Sequence, residues 1–193
     1  LHQLRRGCLE PPSLPRVRLL QRSPGRRSEG RRGRRVRRGR RGMSDGATRL
    51  VVGSDHAAVS LRQAIVAHLR QRGLEAAEIG PAPGERCDYP DHAATVARAV
   101  ASGEFDLGLL VCGTGIGMSI AANKIPGIRA ALVHDPFTAQ MAAMHNDANI
   151  LCLGGRLLAE AYALDLVDHW LDTEFEERHG ARLAKITSLE SEA

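Results

Sequence analysis

The stretch LLVCGTGIGMSIAANK, Leu109 to Lys124, contains an apolar run, a glycine-rich turn and the start of a helix-like segment. The apolar run ends on Cys112, and glycines follow at every second position. A buried strand that passes directly into a helix is typical of α/β proteins with parallel sheets. The stretch therefore predicts a strand–turn–helix unit with a thiol where the strand ends.

The segments on both sides repeat this alternation. Apolar, β-branched runs predict strands at 49–54, 74–80, 105–113, 128–134 and 148–155. Helical spacing predicts helices at 58–73, 92–103, 116–124 and 157–172, a further helix capped by Asp135 with Pro136 in its first turn, and a polar C-terminal helical segment. Five strands with helical crossovers predict an α/β fold, a three-layer α/β/α sandwich with a five-stranded parallel, Rossmann-like sheet.

Charge is unevenly distributed along the 193 residues. Residues 1–42 hold 15 of the 27 basic side chains, all arginine, and only 2 of the 22 acidic ones. The remainder carries 12 basic and 20 acidic side chains, so an acidic domain at 43–193 follows a basic arm. The arm has too few apolar residues to form a core, and we expect it to be disordered.

Three interpretations of the arm compete. A basic run binds nucleic acid through phosphate contacts. A targeting segment is a second interpretation, although the arm lacks the apolar core of a signal peptide. We favour the third, in which the protein starts at Met43 and the arm is a translated leader or an artefact.

The cysteines give no sign of a metal site or of secretion. Cys8, Cys87, Cys112 and Cys152 do not have the paired spacing of a zinc site. No apolar run approaches the roughly 20 residues of a membrane span. We therefore predict a cytoplasmic protein with reduced thiols and no membrane partner.

Polar clusters follow three of the predicted strands. These are Asp55-His56, the segment 112–117 and the segment 154–156. In parallel sheets the ligand crevice lies beyond the carboxyl ends of the strands, so the clusters are expected to converge. The glycine-rich turn is not a dinucleotide fingerprint, because Met118 stands where the third glycine would be, and it is not a phosphate-binding P-loop. It is either a plain tight turn or a turn whose N–H groups bind an anion such as an enediolate.

Each candidate side chain has a structural and a functional interpretation. Cys112 is either a small buried hydrophobic residue, as we expect for Cys152, or a base or nucleophile whose anion is favoured by the helix start. Asp55-His56 is either a helix cap or a pair that binds sugar hydroxyls. His145, at a predicted helix end, is either a C-cap or a charged imidazole.

Three arginines are candidate phosphate ligands, because a guanidinium donates two parallel hydrogen bonds to phosphate oxygens. They are Arg156, Arg178 and Arg182. Arg178 and Arg182 are four residues apart, which predicts one helix face. The structural alternative for this pair is a solvated helix surface.

The segments GSDHA, DYPD, CGTGIGMSIAANK, HNDANILCLGGR and RHGAR occur in this order along the chain. Together they resemble the ribose-5-phosphate isomerase B family, which includes the galactose-6-phosphate isomerase subunits, from about Arg49 to about Leu189. The resemblance implies a five-stranded α/β/α sandwich and an aldose–ketose isomerase that uses no metal or other cofactor. It also implies a homodimer, or a tetramer made of two such dimers, in which each active site contains residues of two subunits.

The implied reaction interconverts D-ribose 5-phosphate and D-ribulose 5-phosphate. The alternatives are an isomerase of a six-carbon sugar phosphate and a non-catalytic sugar-phosphate-binding protein. If the protein only binds sugar phosphates without catalysis, the basic arm would contact nucleic acid, a partner that we do not expect.

The resemblance assigns a role to each candidate residue. Cys112 is the base that moves a proton between C2 and C1, His145 protonates the ring oxygen, and Thr114 belongs to the loop that binds the enediolate. The other substrate-binding residues are Asp55, His56, Tyr89, Gly113, Gly115, Ile116, Gly117 and Asn146. The phosphate-binding residues are Arg156, Arg178 and Arg182. The family has one branch with a cysteine base and another that lacks this cysteine and has a glutamate at the position of Met118. With Cys112 and Met118, the chain resembles the cysteine-base branch.

Overall fold

A computed structural model describes residues 48–191, in which five strands alternate with helices. The first half consists of β1 (Arg49–Ser54), α1 (Val59–Gln71), β2 (Glu75–Ile79), α2 (Tyr89–Ala101) and β3 (Leu107–Cys112). The second half consists of α3 (Ile116–Ala122), β4 (Ala130–Leu132), α4 (Pro136–Met144), β5 (Ile150–Gly154), α5 (Glu160–Leu171), a 3₁₀ turn (Glu177–His179) and α6 (Gly180–Leu189). The basic arm and the predicted start at Met43 lie outside the described residues.

The five strands form one sheet in the order β2-β1-β3-β5-β4, and every pairing is parallel. The three central strands are apolar and almost entirely buried, as expected for a sheet that is covered on both faces. Ser54 pairs with Val111, and Cys112 pairs with Gly154, so the carboxyl ends of the central strands lie side by side. The chain reverses its winding direction between β1 and β3, which is where open α/β sheets bind ligands.

Two apolar layers cover the sheet. Leu109 and Val111 of β3 point to a core that they share with α1, α4 and α5. Leu110 and Cys112 point to the opposite core, which contains residues of α2 and α3. Because successive side chains of β3 point to opposite faces, each face of the sheet has its own apolar core covered by helices. This arrangement confirms the predicted α/β/α sandwich.

The element boundaries differ from the predictions at three places. β4 is three residues long, although 128–134 was expected, since only Ala130–Leu132 pairs with β5. α2 begins at Tyr89 and not at residue 92, because Pro90 fits the first helical turn. Arg178 lies in the 3₁₀ turn and Arg182 in α6, which follows it directly, so the two arginines do not share one α-helix, and their common face stays a prediction. Within the described residues, no helix has the length and apolar character needed to cross a membrane.

Gly115 determines the shape of the turn between β3 and α3. Its φ of +77° is left-handed. A Cβ at this position would lie 2.5 Å from Cδ1 of Leu132 and 2.9 Å from the carbonyl carbon of Leu153. Both the backbone angle and the close approach to β5 therefore require glycine.

We expect Gly115→Ala to lower the free energy of unfolding by about 3 kcal/mol, because left-handed strain adds to steric overlap with β5. Gly103→Ala is the matched control, since Gly103 has the same φ of +77° but no atom within 4 Å of its Cβ position. The control should lose only about 1 kcal/mol. Urea unfolding of both variants measures the difference, and equal losses would contradict the steric part of this account.

Candidate active site

The Cys112 thiol lies inside the turn that follows β3. The backbone N–H of Gly115 donates a hydrogen bond to Sγ of Cys112 at 3.1 Å. The side chain is 4% exposed and lies at the last position of its strand. The sulfur therefore has a backbone donor in contact with it at the point where the strand passes into the turn.

Cys152 provides an internal comparison. It lies within β5, is fully buried, and makes up part of the same apolar layer as Cys112. Burial raises the pKa of the Cys152 thiol far above its usual range. Cys152 is therefore the small buried hydrophobic residue that the sequence predicts, whereas Cys112 has a hydrogen-bond donor and an adjoining loop.

Asp55 and His56 follow β1 and adjoin the thiol. The N–H of Asp55 donates to the carbonyl of Val111, one residue before Cys112. One carboxylate oxygen of Asp55 accepts from the N–H of Ala57, while α1 starts only at Val59. Asp55 thus closes a local turn and does not cap the helix. Nδ1 of the exposed His56 lies 3.0 Å from the carbonyl oxygen of Cys87 and 3.5 Å from the backbone nitrogen of the same residue.

A buried arginine beneath this corner fixes two of its segments. Arg62 is 4% exposed and donates to Glu78 at 2.8 Å, to the hydroxyl of Ser54 at 2.9 Å and to the carbonyl of Pro81 at 3.0 Å. A Cβ on Gly80 would lie 1.9 Å from Nη1 of Arg62. The guanidinium therefore connects the residue before Asp55 with the start of the loop that reaches Cys87.

Tyr89 and Arg156 border the glycine-rich turn. A Cβ on Gly117 would lie 2.6 Å from the Tyr89 ring, so the ring packs directly on that glycine. The N–H of Arg156 donates to the carbonyl of Gly113 at 3.0 Å, and its side chain lies beside the same residue. We use the name thiol cluster for the residues gathered at this edge: Asp55, His56, Tyr89, Cys112, Gly113, Thr114, Gly115, Ile116, Gly117 and Arg156.

The remaining predicted site residues form a second group, the histidine cluster, which also contains two residues without a predicted role. Its members are His145, Asn146, Glu176, Arg178, His179 and Arg182. His145 ends α4, as predicted, and its ring centroid lies 4.2 Å from that of His179. Arg182 contacts Nδ1 of His179 at 3.2 Å, and Arg178 pairs with Glu176.

The two clusters lie at opposite ends of the parallel strands. The thiol cluster is at their carboxyl ends, and the histidine cluster is at their amino ends. The loop that contains His145 and Asn146 leads into β5, where the carbonyl of Asn149 accepts from the N–H of Gly108 near the start of β3. Cys112 is at the other end of β3, and at about 3.3 Å per residue roughly 13 Å of strand separates it from Gly108. One chain therefore does not bring Cys112 and His145 to the same small ligand.

Three side chains of the histidine cluster are the best geometric candidates for metal ligands among the described residues. Ligand atoms of His145, Glu176 and His179 lie within 4.8 Å of one another. However, Arg178 pairs with the carboxylate, and Arg182 donates to the buried histidine. Two guanidinium groups beside the three side chains favour an anion at this position over a divalent cation.

Sequence reasoning missed Arg62, Glu176 and His179. Arg62 had one usable signal, since it interrupts the apolar face of α1 between Leu61 and Ile65. His179 stands inside the RHGAR segment between the two predicted phosphate ligands. Its burial and its contact with His145 depend on tertiary packing, which the segment does not encode.

Comparisons with known proteins agree with this architecture. The model of the family described as Ribose/Galactose Isomerase matches residues 50–186, from β1 to α6, and so spans both clusters. The ribose-5-phosphate isomerase B of Escherichia coli (strain K12) is 46% identical over 143 residues, which cover 74% of this chain and 96% of that protein.

Two solved structures match the fold closely. The ribose-5-phosphate isomerase B of Clostridium thermocellum is 47% identical with a TM-score of 0.73, and the match covers 75% of this chain and 99% of that one. The enzyme of the same name from Mycoplasma genitalium, solved with bound ribulose-5-phosphate, is 38% identical with a TM-score of 0.72. That match covers 76% of this chain and 98% of the other.

Proposed function

The chain belongs to the Ribose/Galactose Isomerase family, and we propose that it interconverts D-ribose 5-phosphate and D-ribulose 5-phosphate. The observation that carries the proposal is the Cys112 thiol in the turn after β3, hydrogen-bonded by Gly115 and adjoining Asp55 and Arg156. A relative of known structure binds ribulose-5-phosphate. The chain is thus an isomerase of sugar phosphates, and the roles below are our assignment.

The first step opens the sugar ring. Ribose 5-phosphate is a closed ring in water, and the C1 aldehyde forms when the ring oxygen gains a proton and the C1 hydroxyl loses one to water. We assign this proton to His145, the residue that directly follows α4. Asp55, His56 and Asn146 hold the sugar hydroxyls, and Tyr89 lines the pocket beside the loop.

The second step moves a proton between adjacent carbons. The Cys112 thiolate removes the proton from C2 of the open aldose, and the electron pair moves onto the C1 oxygen to give an enediolate. The C2 hydroxyl proton then passes to the C1 oxygen, C2 becomes the carbonyl carbon, and the Cys112 thiol returns its proton to C1, which produces the ketose and regenerates the thiolate. N–H groups of the loop from Gly113 to Gly117, together with Thr114, stabilise the negative oxygen during this step.

We infer that a complete site needs two copies of the chain. The proposed base and the proposed acid lie at opposite ends of the parallel strands, so the acid must come from a neighbouring copy. Arg178 and Arg182 lie beside His145 and would accompany it, while Arg156 stays with the base. Exposed Ile116, Ile120 and Phe137 provide apolar surface near the thiol side of the fold for such an interface. The cytoplasmic location stays a prediction.

A six-carbon substrate is the second candidate, since the description of the matching family names galactose as well as ribose. We expect kcat/KM for ribose 5-phosphate to exceed that for galactose 6-phosphate or allose 6-phosphate by at least about tenfold, because one added carbon changes the distance between the phosphate and the reacting carbons. Coupled assays on the three sugars measure this ratio. Preference for a six-carbon sugar would overturn the pentose assignment, and binding without turnover on all three would indicate a sensor.

Replacement of the base should abolish turnover while leaving substrate binding. We expect Cys112→Ala to lower kcat by roughly 10²–10⁴-fold. Incorporation of solvent deuterium at the substrate carbons should stop as well, whereas calorimetry should still detect sugar-phosphate binding. Cys152→Ala is the matched control, because that thiol is buried within β5 and should leave kcat unchanged. Full activity of the Cys112 variant would reject the assigned base.

Mixing two inactive variants tests the shared site. Cys112→Ala and His145→Asn should each be inactive alone. Random pairing in a dimer gives half mixed dimers, each with one intact site, so the coexpressed variants should recover about a quarter of normal activity. If both groups acted within one chain, the mixture would stay inactive.

A further inference from the structure

His179 is the more deeply buried of the two histidines in the histidine cluster, and neither step of the proposed reaction uses it. The residue is 3% exposed and ends the 3₁₀ turn before α6. Its backbone segment is fixed to the end of α4, because the N–H of Glu176 donates to the carbonyl of Met144 at 2.9 Å. This bond brings His179 beside His145, the next residue after Met144.

The hydrogen bond from Arg182 fixes the tautomer of His179. A guanidinium has donors only, so Nδ1 of His179, 3.2 Å from Nη1 of Arg182, must be the acceptor. In the neutral ring the proton is then on Nε2. That atom is buried and has no hydrogen-bond partner among the described residues, its closest acidic atom being Oε2 of Glu176 at 3.8 Å.

The surroundings of His179 oppose a positive charge on its ring. Burial is the main cause of its lowered pKa, and the charges of His145, Arg178 and Arg182 act in the same direction. Glu176 is the single facing group that acts in the opposite direction, and its carboxylate is paired with Arg178. With two imidazoles 4.2 Å apart, a second positive charge on His179 is disfavoured once His145 carries one.

On the basis of the proposed function, we propose that His179 is a positioning residue for the ring-opening acid. Its ring packs against that of His145, tilted by 34°, and holds the orientation of that imidazole. Its Nδ1 connects the same ring to Arg182, a proposed phosphate ligand. One buried side chain thereby fixes the position of the proton donor relative to a ligand of the substrate phosphate.

Ring opening and proton transfer between carbons can be measured separately in an isotope experiment. Ribulose 5-phosphate is acyclic, because its C5 oxygen carries the phosphate and no hydroxyl is left for a five-membered ring. In D₂O the enzyme can remove a C1 proton from this ketose and return a deuteron without any ring step. This C1 exchange reports on the base and its loop alone, whereas turnover of ribose 5-phosphate also requires the acid.

We expect His179→Leu, which fills the space without a flat ring, to lower kcat on ribose 5-phosphate at least tenfold. At saturating ribulose 5-phosphate, C1 exchange should stay within about twofold of the unmodified enzyme. His179→Phe restores a neutral ring against His145 and should recover most of kcat, with a KM several-fold higher because Arg182 has lost its acceptor. Lys185→Ala, at an exposed position of α6, is the control and should change neither rate.

Several outcomes overturn the role of His179: a parallel fall of both rates in the Leu variant, no loss in that variant, or no recovery with Phe. Loss of folding in both variants, measured by thermal melting, would show a purely structural role and would also overturn it. Failure of the proposed function is distinguishable, since the unmodified enzyme would then show neither isomerisation nor C1 exchange.

Discussion

The geometry of the turn after β3 depends on one backbone conformation. Gly115 adopts a left-handed φ against the backbone of β5, and no other residue fits between Leu132 and Leu153. The same conformation directs the Gly115 N–H at the sulfur of Cys112. The thiol, the loop that follows it and the first turn of α3 therefore have their positions because this one residue has no side chain.

Strand direction is the second constraint. Parallel strands place every carboxyl end at one edge of the sheet, which collects Asp55, Cys112 and Arg156 there. Helix α4 runs back across the sheet, so His145 ends at the other edge. The two proposed steps have opposite electrostatic needs, since a thiolate requires N–H donors and a proton donor requires a positive ring. Because the two groups are separated within a chain, the proposed site forms only where two copies meet.

Much of this architecture can be predicted from the sequence. The apolar runs of β1, β3 and β5 are distinctive because both faces of these strands are buried, and the rule for parallel sheets then predicts that Asp55, Cys112 and Arg156 converge. The short β4 and the 3₁₀ turn at Arg178 could not be predicted, because local pattern does not determine which residues pair or how a helix starts. The contact between His179 and His145 and the contacts of Arg62 depend on packing between segments distant in sequence.

The pair formed by Arg62 and Gly80 has an evolutionary consequence. The guanidinium occupies the space that any side chain at position 80 would need, since Nη1 lies 1.9 Å from the missing Cβ. The carbonyl oxygen of Ser54 also lies 2.8 Å from that position, and the φ of Gly80 is +147°, so a shorter residue in place of Arg62 would still leave glycine required there. Across descendants of this sequence, position 80 should consequently stay glycine even where the residue at position 62 changes.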